Sequence, residues 1–194
     1  MSRAAGILMP ITSLPGKYGI GCFSKEAYAF IDWLKEAGQT YWQILPIHPT
    51  SYGDSPYQSF STFAGNPYFI DLEELIEEGM LTREECDSMD FGDDEDDIDY
   101  EDQYQNRYIL LTMAYERSNI SQNPDYQRFV EKNRWWLDDY ALFMALKNFF
   151  KGQCWNEWPQ DIRLRWGYSM DYYRRELYFD IEFQMFMQYW FFKQ

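Results

Sequence analysis

The chain opens on a short apolar run, residues 4–10, in which Gly6, Ile7, Leu8 and Met9 follow one another without alternation. A continuous run of this kind is what a parallel strand covered on both faces shows. After the loop TSLPGKYGIG, Ala27, Phe30, Ile31 and Leu34 recur at helical spacing, with Ser24 placed to cap the start and Gly38 to end it. Residues 40–45 (TYWQIL), aromatic and β-branched, stop at Pro46 and read as a second strand. A helix crosses between the two strands, so they must run parallel. The pattern predicts a strand-helix-strand unit.

Ligands of open α/β sheets and of (β/α)8 barrels bind at the carboxyl ends of parallel strands. Here those ends are two loops, residues 12–21 and the long stretch 46–68, PIHPTSYGDSPYQSFSTFAGNPY, which carries four prolines and several hydroxyls. A loop of that length points to function. Beyond it the pattern turns helical. Asp71 and Thr82 open short helices with capping-box spacing to Glu74 and Glu85, and further helices are expected near 104–117, 125–132, 138–150 and 170–192. No internal repeat is present. The last helix is apolar on every face and lacks a stop signal before Lys193 and Gln194. Such a helix expects burial, so the chain is expected to be a piece of a larger fold or to rely on a partner, with self-association through this helix. The expected organisation is a barrel-type start over 1–70, a helical insertion over 71–168, and a packing helix over 169–194.

At 194 residues the chain has the length of one domain with a sizeable core. Its 17 basic residues against 32 acidic ones give a net charge of -15, which argues against nucleic acid and anionic membrane as partners. Twelve of the acids fall within 84–102, where no basic residue occurs, so the rest of the chain is nearly neutral. The segment FGDDEDDIDYEDQ reads as a solvated loop or a helix N-terminus, and its order does not match a calcium-binding loop. Aromatic residues make up 21% of the chain, more than a core needs, and point to sugar-like ligands or partner surfaces. Cys22, Cys86 and Cys154 offer neither a disulfide framework nor a C-x-x-C pair, which fits a reducing, cytoplasmic setting. Pro10 interrupts the only leader-like stretch, so no signal peptide is expected. The longest charge-free apolar run, 183–192, is about half of the roughly 20 residues a membrane span needs.

The candidate chemistry is sparse. GIGCFS at 19–24 lacks the third glycine of a dinucleotide fingerprint and reads as a glycine-rich loop shaping a pocket. His48 is the single histidine, which leaves no His-rich metal site and no hydrolase triad. Asp54 lies in the right loop for glycosidic chemistry but follows Gly53 as turn formers do, and no second carboxylate accompanies it.

The string QILPIHPTSYGDSPYQSFSTFAGNPYFIDLEEL, with GILMPITSLPGKYGIG before it and LKEAGQTYW ending the first helix, closely resembles the amylomaltase (4-alpha-glucanotransferase) family, glycoside hydrolase family 77. The resemblance runs on through WWLDDYALFMALKNFF and WNEWP. It implies an α/β fold, the amino-terminal part of a (β/α)8 barrel with its first two strands and a large helical insertion. It also implies that the second-strand loop lines the donor sugar site. Ser55 and Tyr57 are then glucan contacts by hydroxyl and ring, with Asp54 beside them, and Tyr52 resembles an aromatic of a secondary glucan groove. Tyr57 could instead pack the loop. The family's nucleophile, acid/base and transition-state carboxylates belong to later strands, and none is present here, so no catalytic residue is assigned and the chain alone is expected to be inactive. No cofactor and no metal are implied, and the expected partner is a maltooligosaccharide or another α-1,4-glucan. The alternatives are a non-catalytic glucan-binding or interaction protein, or an unstable gene remnant.

Overall fold

In the computed structural model, which describes residues 3–51, 53–92 and 97–194, β1 (Gly6–Leu8) and β2 (Tyr41–Gln43) pair in parallel with Ile7 opposite Trp42. The direction is the one a crossing helix demands, and that helix is α1 (Lys25–Glu36). Ala27 and Leu34 are buried on its inner face, and Phe30 meets the Trp42 ring edge-on at 5.0 Å. Trp42 Nε1 donates to the Met9 carbonyl at 2.8 Å, tying the end of β2 to the end of β1. Gly38, at φ +71°, takes the left-handed conformation that closes α1. Ser24 sits at the N-cap but makes no side-chain capping bond. The strands are shorter than the apolar runs and are not covered on both faces, since Leu8 is 58% and Tyr41 65% exposed. Among the described residues the sheet has two strands, too few to bury its own surface.

The chain divides into two compact units, Met1–Ser118 with Trp190–Gln194, and Asn119–Tyr189. In the first, α2 (Leu72–Glu77) is capped by Asp71, whose carboxylate accepts from Glu73 N, without a reciprocal bond from Glu74. At α3 (Arg83–Asp87) the expected capping box is complete: Thr82 N donates to the Glu85 carboxylate at 2.9 Å and Glu85 N to Thr82 Oγ1 at 3.2 Å. The short α4 (Tyr100–Asp102) runs into a π-helical stretch, Gln103–Arg107, and on into α5 (Tyr108–Arg117). Asp99 caps α4 and Asp90 accepts from Gly92 N, the helix-start and turn roles expected of acidic residues here, while 93–96 lie outside the described residues.

The second unit is built on α6 (Pro124–Phe149), α7 (Gln160–Arg163), α8 (Gly167–Glu176) and most of α9 (Tyr178–Lys193). α6 is one helix where the apolar period suggests two, because NRWWL contains neither Gly nor Pro. Asn133 satisfies itself inside the helix, donating to Phe129 O and accepting from Trp136 Nε1. Conversely, the stretch expected as one helix over 170–192 is interrupted at Leu177. Trp158 lies 5.5 Å from Phe143 and 5.3 Å from Phe150, ring to ring.

The terminal helix corrects an expectation. Ile181, Phe183, Met185, Phe186, Met187, Tyr189, Trp190 and Phe191 are buried within this chain, so the exposed surface expected to drive self-association is largely taken. Within the first unit, Phe191 packs on Phe23 at 5.4 Å and fills the space that Gly65 leaves. Lys193 pairs with Glu78 at 2.6 Å, and Gln194 accepts from Asp71 N at 3.0 Å. Among the described residues no helix is long and apolar enough to cross a membrane.

Candidate functional site

Just past the two strand-end loops the chain is tied backbone to backbone, since Phe23 N donates to Phe69 O at 3.1 Å while their rings lie 5.6 Å apart. The first loop begins with a short 3-10 turn, Ile11–Ser13, and returns on itself through Gly21 N to Thr12 O. A cavity of about 950 Å³ opens on it, lined among others by Ser13, Gly16, Lys17, Gly19, Gly21 and Asp97, as a glycine-rich loop shaping a pocket requires.

The second loop folds into a small hairpin. Thr50 and Ser59 form an antiparallel bridge, and Ser51 N donates to Gln58 O at 3.0 Å. Within it Asp54 N donates to Ser51 O and Gln58 N to Ser55 O, two turns that close the tip. Gly53 (φ +84°) and Asp54 (φ +53°) both take the left-handed conformation, so Asp54 acts as the turn former its position after glycine predicts. His48 braces the loop from inside, its Nδ1 being 3.1 Å from Ala64 O. Asn66 caps the short turn at Pro67–Phe69 that ends it.

The structure brings three of the sequence-predicted residues together at the hairpin tip. Ser55 Oγ lies 3.4 Å from Tyr57 N, the Asp54 carboxylate lies 3.4 Å from the Thr50 hydroxyl, and Tyr57 is 74% exposed. At that exposure most of the ring is turned to solvent rather than spent on packing the loop. Tyr52 lies outside the described residues. Burial raises the phenol pKa of both Tyr68 and Tyr100, and the negative charge of Asp54 adds to the rise. Among the described residues no group of three His, Cys, Asp or Glu side chains could hold a metal ion. What the tip offers is therefore a flat apolar ring, a hydroxyl and a carboxylate, a set suited to a pyranose with its C-H face and its ring of hydroxyls.

Sequence reasoning missed two residues under these loops, Gln103 and Arg107, both essentially inaccessible. Burial lowers the Arg107 pKa against the opposing charge of Asp71, although among the described residues no carboxylate comes within ion-pair distance of it. The one available hint was a basic residue closing a polar run after a dense acidic stretch.

A family profile described as 4-alpha-glucanotransferase matches residues 9–194. Among curated relatives, the 4-alpha-glucanotransferase of Clostridium butyricum is 49% identical over 186 residues, covering 96% of this chain and 38% of the relative. That of Streptococcus pneumoniae is 45% identical over 194 residues, covering 99% and 38%, and that of Thermus thermophilus 43% over 198 residues, covering 100% and 39%. The chain thus spans well under half the length of the curated relatives it matches. Of solved structures, amylomaltase from Streptococcus agalactiae in complex with acarbose superposes with a TM-score of 0.93 at 39% identity, covering 99% of this chain and 39% of that one. Amylomaltase from Corynebacterium glutamicum, at 19% identity and a TM-score of 0.69, shares the fold over 96% of this chain and 26% of its own.

Proposed function

Because the chain belongs to the 4-alpha-glucanotransferase family, glycoside hydrolase family 77, we propose that its second strand-end loop is the donor-sugar wall of a site for α-1,4-glucans. The observation that carries this reading is the exposed ring of Tyr57 at the tip of a hairpin fixed on both sides. The ring stacks on the apolar face of a glucosyl unit, Ser55 hydrogen-bonds a sugar hydroxyl, and Asp54 shapes the turn and accepts from a second hydroxyl. Tyr52 belongs to a separate glucan groove. The complete enzyme moves α-1,4-glucan segments between maltooligosaccharides with retention, through a covalent glycosyl-enzyme that an acceptor sugar resolves. That chemistry needs a nucleophile and an acid/base on either side of the bond, and Asp54 is the single acidic residue on this loop.

In this reading residues 1–70 begin a (β/α)8 barrel, 71–168 form a helical insertion, and 169–194 keep Tyr178, Phe179 and Phe192 exposed to pack on the remainder of the barrel. The setting is cytoplasmic, in keeping with three free cysteines. The 194 residues alone bind glucan without turning it over. Titration of maltoheptaose against intrinsic fluorescence is expected to saturate, and maltotriose incubated with the chain is expected to release no glucose. A titration that never saturates overturns the binding, and released glucose overturns the inactivity.

A further inference from the structure

Gln103 and Arg107 stand four residues apart on the π-helical stretch, at 0% and 1% exposure. Gln103 Nε2 donates to Tyr18 O at 2.7 Å, and its Oε1 accepts from Arg107 Nε at 2.9 Å. The guanidinium reaches further: Nη1 donates to Ile70 O at 2.8 Å and Nη2 lies 3.4 Å from Tyr18 O. Tyr18 belongs to the first strand-end loop, and Ile70 directly follows the turn that ends the second. One pair of side chains therefore ties the first loop to the point where the chain leaves the second.

Three features say that this grip is built rather than incidental. A buried guanidinium is costly unless its donors are satisfied, and Asp71, whose negative charge acts on Arg107, makes no ion pair with it among the described residues. Here three of its nitrogens are spent on carbonyl and amide oxygens. Gly19 makes room for the arrangement, since at its φ of +72° a Cβ would collide with Phe91 O and Gln103 Nε2. The helix itself widens to a π turn at these five residues and nowhere else among the described ones, and such turns recur at functional positions.

We propose that Gln103 and Arg107 are positioning residues that lock the two strand-end loops into one arrangement, so that the hairpin presents Tyr57 and Ser55 to glucan ready-formed. The lock stands on geometry alone, while the presentation to glucan rests on the function proposed above. Preorganisation of this sort acts on affinity by removing an ordering cost from binding.

The test uses the 194-residue chain with Arg107→Met, Arg107→Lys and the milder Gln103→Leu. Hydrogen exchange of the amides of 18–21, Asn66 and 68–71 is expected to quicken roughly tenfold or more in Arg107→Met, with Arg107→Lys partly restoring protection and the amides of α6 unmoved. Loop amides that exchange as in the parent overturn the lock. Should Arg107→Met not fold, Gln103→Leu carries the same comparison. Maltoheptaose affinity per folded molecule is then expected to weaken roughly fivefold or more in the variants, a change that loss of global stability alone would not produce. Unaltered affinity with faster loop exchange overturns the presentation to glucan. A parent chain without saturable binding overturns the glucan reading and the presentation with it, and leaves exchange to decide the lock.

Discussion

Tyr57 and the cysteines show what a single side chain discloses and what it withholds. Tyr57 can be picked out from the string DSPYQS, and the structure adds that its ring is exposed, which separates binding from stability. Tyr57→Ala is expected to weaken maltoheptaose binding roughly tenfold, about 1.4 kcal/mol. Unfolding free energy should move by no more than about 0.5 kcal/mol. A stability loss above that with unchanged binding would return Tyr57 to a packing role. Burial pushes the Cys22 thiol up to about 12 and the Cys86 thiol up to about 11, while Cys154 is exposed. At pH 8 Ellman's reagent should therefore titrate one thiol rapidly in the native chain and three in denaturant. Rapid reaction of two or more native thiols would contradict the burial. Gln103 and Arg107 could not be recognised in the same way. Polar residues after a dense acidic run look solvated, and their burial is decided by the carbonyls of Tyr18 and Ile70, far away along the chain.

At the scale of elements, local chemistry was readable and continuity was not. The Thr82 box follows from two residues three positions apart, whereas the unbroken course of α6 depends on Asn133 bonding within its own helix. The Glu85 carboxyl is held down to about 2, first by the Arg117 guanidinium and then by Thr82 N. A carboxylate with a depressed folded pKa stabilises above its ordinary value near 4.3, and that contribution disappears as pH falls through the folded value. The parent should therefore lose stability between about pH 4 and pH 2 more steeply than Glu85→Gln. Identical acid profiles would show that the pair contributes nothing. At the start of α6, Asn123 accepts from Asp125 N at 2.8 Å and Tyr126 N at 3.3 Å. Asn123→Ala is expected to cost roughly 1 kcal/mol, read by urea denaturation, whereas Asn123→Ser should cost far less.

For the molecule as a whole, the parallel strand pair and the helix between them follow from periodicity, because each is decided within some forty residues of sequence. The fate of the last helix does not. Its all-round apolar surface demanded cover, and the cover turned out to lie inside the same chain, with Phe191 against Phe23 and Gly65. Phe191→Ala is expected to destabilise the first unit by roughly 3 to 5 kcal/mol, measured as lost protection of the α1 and α2 amides. A loss below about 1 kcal/mol would mean that the contact is superficial. The same docking sets an order of events during synthesis. Residues 1–118 leave the ribosome without Trp190–Gln194, which belong to their unit, and those five residues follow only once the whole of 119–189 has been made. At roughly 5 to 20 residues per second that interval lasts on the order of 4 to 15 s. Throughout it Phe23 and the floor beneath Gly65 stay open to solvent and to whatever escorts the nascent chain.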